Sequence, residues 1–498
     1  MKRREFALTS IAAVTLAGSP LAALAQRRKD AVVLGMTLEP TGGLDPTATA
    51  ASATAEIVQY NIFETLTKVQ SDGTVVPLLA ESWEISPDLK TFTFKLRKGV
   101  KFQNGEPFNA GTVKFSFERA AAEKSTNKDK RTFASMETVG VVDDSTVVIV
   151  NKELNPDFLF LMGQATAIMV EPKSADTNAT KPVGTGPYTL ENWAKGSAVT
   201  LAKWDGYRNA AAIKMKKATF RFISDPAAQV AALLSGDLDM FSRVAAARSL
   251  EQFKRDPRFQ IIISGSRAKT ILAINNKKKP FDDVRVRRAI AAAVDRKAVI
   301  QGAADGFGVP IGSHYVPGAF GYVDTTGVNP YNPEKAKALL AEAGIKTPLE
   351  VSLVLPPVPY ARQGGEVIAA QLAKVGIIAK LQNVEWAQWL SGVYGNKNYD
   401  LTIISHVEPF DLGNFAKPGY YWGYESAKFN DLYNKINNAP RDADRAKLLG
   451  EAQKLLAEDA AHAFLYQPQW ITVAQKGLRG LWKDMPLFVN DIGALSWG

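Results

Sequence analysis

The sequence contains no cysteine and only three histidines, His314, His406 and His462. The first absence excludes structural disulfides, thiolate catalysis and lipid attachment through an N-terminal cysteine. No Gly-x-Ser-x-Gly or His-Glu-x-x-His segment occurs, so two common hydrolase signatures are missing. Basic residues are dispersed, with Lys277 to Lys279 the longest run, which argues against nucleic-acid binding despite a net charge of +10. After the first residues there is no sustained apolar run of the kind that spans a bilayer.

What the chain does have begins with "MKRREFALTSIAAVTLAGSPLAALAQ". A basic head (Lys2, Arg3, Arg4), an apolar run from Ala7 to Leu16 and the small-x-small exit Ala23-Leu24-Ala25 predict a secretory leader, residues 1–25, cleaved after Ala25. Arg3-Arg4 ahead of Phe6 adds a hint of twin-arginine export. The leader supplies two of the positive charges and leaves eight on the mature chain. An exported chain without a lipid anchor suits a periplasm.

The 498 residues favour two or three folding units. "AVVLGMTLEP" reads as a strand running into a turn, and "TGGLDP" follows. In "LKTFTFKLRKGVKF", Phe92, Phe94 and Leu96 share one face, the alternation of an edge-like strand. "NGEPFNAGTVKFSFERA" turns and then enters a helix that should be capped by Asn109. "FRFISDPAAQVAALLSGDLDMF" is a strand–helix–strand unit with Asp225 as cap and Pro226 at the first helical position. "TILAINNKKKPFDDVRVRRAIAAAVDRKAVI" repeats that logic with Asp283 as cap. Helices at "NPEKAKALLAEAG" and "GGEVIAAQLAKVG" are each followed by a strand. Alternation of this kind predicts α/β lobes with ligand crevices between them.

Six separated blocks make the pattern specific: "IFETLTKVQSDGTVVPLLAESWEISPDLKTFTFKLRKGVKFQNGEPFNAGTVKFSFERA", "PVGTGPYTLENW", "QVAALLSGDLDMF", "INNKKKPFDDVRVRRAIAAAVDRKAVI", "YNPEKAKALLAEAG" and "IAAQLAKVGIIAKLQNVEWAQWL". In this order they resemble the periplasmic solute-binding proteins of ABC importers, in the dipeptide/oligopeptide/nickel class (extracellular solute-binding protein family 5). The resemblance runs from about Ile62 to Leu390. It implies a two-lobe α/β periplasmic-binding-protein fold (type II, cluster C) with an extra domain inserted in lobe I and two hinge strands. Carried onto this chain, lobe I is residues 31–60, 184–272 and 478–498, the inserted domain 61–183 and lobe II 273–477, with crossings near Thr270 and Lys476. It further implies a binding protein rather than an enzyme, without a cofactor. Such a protein acts as a monomer that delivers a peptide-like or other polar organic solute to an inner-membrane permease. Metal-chelate, haem, oligosaccharide and opine carriers share the fold.

The segment "ISHVEPFDLGNF" places His406, Glu408 and Asp411 within six residues. From the residues alone, the two acids could be a catalytic pair of a secreted hydrolase, a metal site with His406, the cap of a solvated turn, or counter-charges for a ligand. The resemblance points to the last. Relatives read roughly W-x-x-D-Y-P-D-P-x-x-F here and commonly pair one acid with a ligand ammonium. Asp411 and Phe415 match the second acid and the final aromatic; Glu408 falls on the first acid, one methylene longer, and Ser405-His406 replaces an aromatic. On this basis Asp411→Ala should weaken binding of a cationic ligand more than it destabilises the ligand-free protein. Trp386, Trp389 and Trp422 are expected as flat ligand walls. Arg362 is the expected carboxylate fork, with Arg243 and Arg248 as further candidates. Thr41 and Gly42 should offer backbone groups to the ligand.

Overall fold

The computed structural model describes residues 29–498 except 50, 246 and 440; the expected leader, 1–25, lies outside the described residues. Two large mixed sheets organise the molecule. The first orders its strands 259–264, 470–475, 240–241, 31–36, 217–222, 198–203 and 188–194. Its central strand, Ala31–Met36, runs parallel to Lys217–Phe222 and to Met240–Phe241. The second sheet orders 308–310, 462–468, 269–274, 401–406, 349–355 and 377–383, with Leu349–Leu355 parallel to both of its neighbours. The central strand Lys269–Ile274 is buried on both faces, so its residues from Ile271 to Ile274 are uninterruptedly apolar.

A third sheet, four-stranded and antiparallel, lies between residues 80 and 151. Thr91–Leu96 buries Phe92, Phe94 and Leu96 as the alternation requires. It is an inner strand, hydrogen-bonded on both sides by Ala80–Ile85 and Thr146–Asn151, not an edge. The alternation reports one solvated face, which an inner antiparallel strand shares with an edge strand.

The predicted helix starts hold in atomic detail. Asn109 accepts from the Thr112 N–H in a capping box, Asp225 accepts from Ala228 with Pro226 following, and Asp283 accepts from Arg285. Each satisfies a backbone donor that a helix end otherwise leaves bare.

The crossings between the large sheets fall earlier than expected. Lys269–Ile274 pairs on both sides within the second sheet, and Trp470–Gln475 pairs with Phe259–Ser264 in the first. The chain therefore crosses at residues 265–268 and at Gln469, and boundaries at 272/273 and 477/478 would divide or misassign strands. Ladder pairing decides this, because a strand cannot leave a sheet midway without orphaning its backbone groups. The two crossings are tied together where Ser266 Oγ donates to the Pro468 carbonyl at 2.7 Å.

The chain enters and leaves the 61–183 segment at one joint. Buried Glu64 accepts a two-pronged bond from Arg208, at 2.6 and 2.7 Å, and a third from Thr185. A fork of this kind fixes orientation as well as charge.

Candidate functional site

A cavity of about 480 Å³ opens where the first sheet's loops, the 61–183 segment, the first crossing, Trp470 beside the second and the loop after Leu401–His406 converge. Its volume sits within the roughly 300–1,000 Å³ common for small-molecule sites. Thr49 and Gln59 line it from the first unit, Arg131 and Gln164 from the 61–183 segment, Arg267 from the first crossing and Trp470 from the start of the strand after the second. Val407 to Asp411 closes it from the second. Phe410 of that loop meets Phe160 edge-on, ring centres 5.0 Å apart, so an aromatic contact bridges the cleft. Asp157 and Arg445, 2.5 Å apart, form a second bridge between the same bodies.

The two acids of the loop have different fates. Glu408 lines the cavity with its carboxylate 64% exposed. Asp411 is 5% exposed and already partnered: Lys269 Nζ lies 2.5 Å from one oxygen and His314 Nε2 2.8 Å from the other. Lys269 also donates to the Glu408 carbonyl at 2.5 Å, so one ammonium staples the loop to the neighbouring strand. His406 completes the cluster, with Nδ1 3.4 Å from Asp411 and Nε2 3.0 Å from the Tyr421 hydroxyl.

Burial alone would raise the Asp411 carboxyl. The charges of His314 and Lys269, then hydrogen bonds from both histidines, hold it well below the ordinary range. His314 is pushed down to about 4, chiefly because burial disfavours its imidazolium, against the pull of Asp411. At neutral pH it is thus a neutral imidazole whose Nε2–H donates to Asp411, leaving Nδ1 buried without a partner. The expectation that Asp411 waits unpaired for a ligand is corrected, because its counter-charge is built in. A carboxylate so held is also a poor proton donor or acceptor near neutral pH.

His462 is driven well below the imidazole range by burial and then by its histidine neighbours. Both folded values lie under the unfolded value of about 6.5. As pH falls through that window the unfolded chain takes up protons that the fold refuses, so stability falls with acidification. Thermal midpoints of the ligand-free protein should decrease from pH 7 to pH 5, with a shallower slope for His314→Gln. An identical slope in that variant contradicts the assignment.

Among the described residues, the grouping with metal-ligand geometry is His314, His406 and Asp411, whose ligand atoms lie within 4.8 Å of one another. His314 stands where Glu408 was expected. A divalent ion there would share Asp411 with the Lys269 ammonium, and two cations a few ångströms apart in a buried site repel strongly. The cluster is charge-compensated as it stands.

The remaining expected residues scatter. Trp422 is 0% exposed, stacked on Phe415 at 4.5 Å, and Trp389 is core, donating from Nε1 to Thr402 at 3.0 Å. Aromatic residues near a cleft loop are consumed by the apolar core behind it, which a linear pattern does not distinguish from a wall. Trp386 is 41% exposed but lies outside the cavity lining. Arg362 reaches Glu385 at 3.4 Å and is likewise outside it. Thr41 and Gly42 form the turn before the lining residues Pro46 and Thr49, and the Thr41 carbonyl accepts from Thr49 Oγ1 at 2.9 Å. Lys269, His314 and Arg267 were not singled out from sequence; the one available signal was a lysine and an arginine flanking an otherwise apolar strand.

Comparison with known proteins places this geometry. The family model described as "Bacterial extracellular solute-binding proteins, family 5 Middle" matches residues 74–458. Di/tripeptide-binding protein 1 of Pseudomonas aeruginosa is 27% identical over 520 aligned residues, covering 95% of this chain and 96% of that protein. Heme-binding protein A of Haemophilus influenzae is 28% identical over 479 residues, covering 87% and 85%. The solved structure of the binding protein AgaA with agropinic acid, from A. tumefaciens R10, superposes with a TM-score of 0.78 at 27% identity, covering 94% of this chain and 99% of that one. Relatives on this scaffold thus include proteins named for di- and tripeptides and for haem, and one solved in complex with agropinic acid.

Proposed function

The chain belongs to the bacterial extracellular solute-binding proteins of family 5, and from that premise we propose that it captures a polar organic solute, peptide-like in chemistry, and delivers it to the permease of an ABC importer. The observation that carries this reading is the cavity between the sheets, walled by the first crossing, by Trp470 beside the second and by the 407–411 loop. Residues 29–60, 184–264 and 470–498 act as lobe I, 61–183 as the inserted domain and 269–468 as lobe II. The crossings at 265–268 and Gln469 are the hinge, about which the lobes close on the solute. The protein works in the periplasm after removal of its leader, as a monomer, and performs no chemistry on its cargo.

Within this reading Glu408 is the counter-charge for a cationic group of the solute. Its carboxylate is open to the cavity, whereas that of Asp411 is neutralised inside the wall. Glu408→Gln should weaken binding of an ammonium-bearing ligand roughly tenfold or more, the worth of one charged hydrogen bond. The ligand-free melting temperature should not change, because the exposed side chain holds no essential fold contact. Calorimetric titration alongside melts checks both halves; a variant that binds like the parent removes Glu408 from the site.

The general reading is tested by thermal-shift screening of short peptides, opines, amino-acid conjugates and oligosaccharides on protein freed of carried-over solute. A ligand at a hundredfold excess over its Kd should stabilise by about 2.7 kcal/mol. X-ray scattering should show a more compact particle. No stabilising compound and no compaction across the library would defeat it.

A further inference from the structure

A solute carboxylate needs a cation in the cavity, and the arginines expected from sequence are engaged elsewhere. Arg243 ion-pairs with Glu56 and packs over Phe488 with 4.6 Å to the ring centre; Arg248 pairs with Asp305 at 2.8 Å. Arg362 pairs with Glu385 outside the cavity. A different arginine stands in the wall. Arg267, in the first crossing, lines the cavity and among the described residues forms no hydrogen bond or ion pair. Asp484 and Tyr315 act on it only through space.

Its placement is built. The Cβ that Gly73 lacks would lie 2.7 Å from Arg267 Nη2, so the turn between Thr67–Val69 and Val75–Pro77 leaves room for the guanidinium that a larger residue would fill. Directly after the second crossing, Trp470 begins the first-sheet strand in register with Ser264, and its indole N–H is buried without an acceptor. At the rim, Lys128 and Arg131 of the inserted segment also have no acid partner among the described residues. A half-buried cation without a partner is unfavourable in an empty site and is balanced when an anion arrives.

We infer that Arg267 anchors a carboxylate of the solute at the hinge, so that the cargo is an acidic or zwitterionic small molecule whose cationic end, where present, meets Glu408 from the opposite lobe. This rests on the solute-binding reading above and narrows it to a chemical class. Residues of a crossing keep their place relative to both lobes during closure. The anion therefore docks first on the open form, and lobe II then brings Glu408 over it.

The test uses dipeptides and tripeptides with a free carboxyl, their C-terminal amides and their N-acetyl derivatives, titrated into the mature chain and into Arg267→Gln and Arg267→Lys. The free acid should bind the parent roughly tenfold to a hundredfold more tightly than its amide. Arg267→Gln should bring the acid to the level of the amide and leave the amide unchanged, and Arg267→Lys should restore part of the difference. The ligand-free melting temperature of Arg267→Gln should equal or exceed that of the parent, because a poorly solvated cation is removed. Equal affinity of acid and amide for the parent overturns the inference, as does an acid preference that survives in Arg267→Gln. If no peptide binds, the solute released from the native protein by denaturation decides. An uncharged or purely cationic molecule overturns the inference and leaves solute capture standing; an acid whose affinity falls in Arg267→Gln supports it. Absence of any released solute together with absence of closure removes both readings.

Discussion

Asp411→Asn is expected to destabilise the ligand-free protein by about 3–5 kcal/mol, the range for removing one member of a buried ion pair. Substitution leaves the Lys269 ammonium, itself 3% exposed, without a counter-charge. It also takes the charge from the carboxylate that His314 and His406 face. The loss should be visible in denaturant unfolding without any ligand present. The double variant Asp411→Leu/Lys269→Met should recover most of it, because apolar replacement of both charges is often neutral or stabilising. A single variant within about 1 kcal/mol of the parent would contradict the buried-pair assignment. This reverses what the sequence led one to expect, a residue important for ligand more than for fold. The contrast with Glu408→Gln is the diagnostic: two acids three residues apart, one governing stability and the other affinity.

Gly184→Ala should be the most damaging of the small substitutions. A Cβ at Gly184 would fall 1.9 Å from the Ile62 carbonyl oxygen, and one at Gly186 would fall 2.4 Å from that of Asn61. These contacts are with backbone, which cannot swing aside as a side chain can. They occur where the outgoing and returning chains of the inserted segment are hydrogen-bonded, Gly186 N–H to Ile62 and Tyr188 N–H to Asn61, each at 2.9 Å. Gln103 grips the same strand through the Gly186 and Tyr188 carbonyls. Forcing the strands apart should cost about 1–3 kcal/mol or more. It should also weaken ligand binding, since the inserted segment supplies part of the cavity wall. Gly327→Ala, with no atom within 4 Å of the added carbon, is the control and should be neutral. Comparable melting temperatures for the two variants would argue that the joint is pliable.

The "GTGPY" motif shows how far sequence reading carries. Its glycines mark a place of unusual backbone, but the atoms that demand them, on Asn61 and Ile62, are more than a hundred residues away. Helix caps at Asn109, Asp225 and Asp283 were legible because a cap is satisfied within three residues of itself. The strand Thr91–Leu96 was legible as a strand with a buried face, yet its inner position was not, because neighbours on a sheet leave no mark on the strand's own alternation. The chain's crossings between the two large sheets were placed a few residues late, because only ladder pairing shows where a strand leaves its sheet.

The site divides along the same line. Glu408 and Asp411 look equivalent in "ISHVEPFDLGNF", and the tryptophans look equally available. Lys269 comes from an adjacent strand, paired in register with His406, and His314 from a loop nearly a hundred residues before Asp411. Those partners turn one acid inward and leave the other facing the cavity.

By itself the sequence determined the α/β alternation, the order of the family's blocks and the local ends of helices. All of these are set by interactions a few residues long or by composition. Only the tertiary structure decided which charges are already balanced. An ionised side chain is governed by whatever surrounds it in space: Lys269 beside Asp411 is a long-range neighbour, and among the described residues none pairs with Arg267 in the cavity wall.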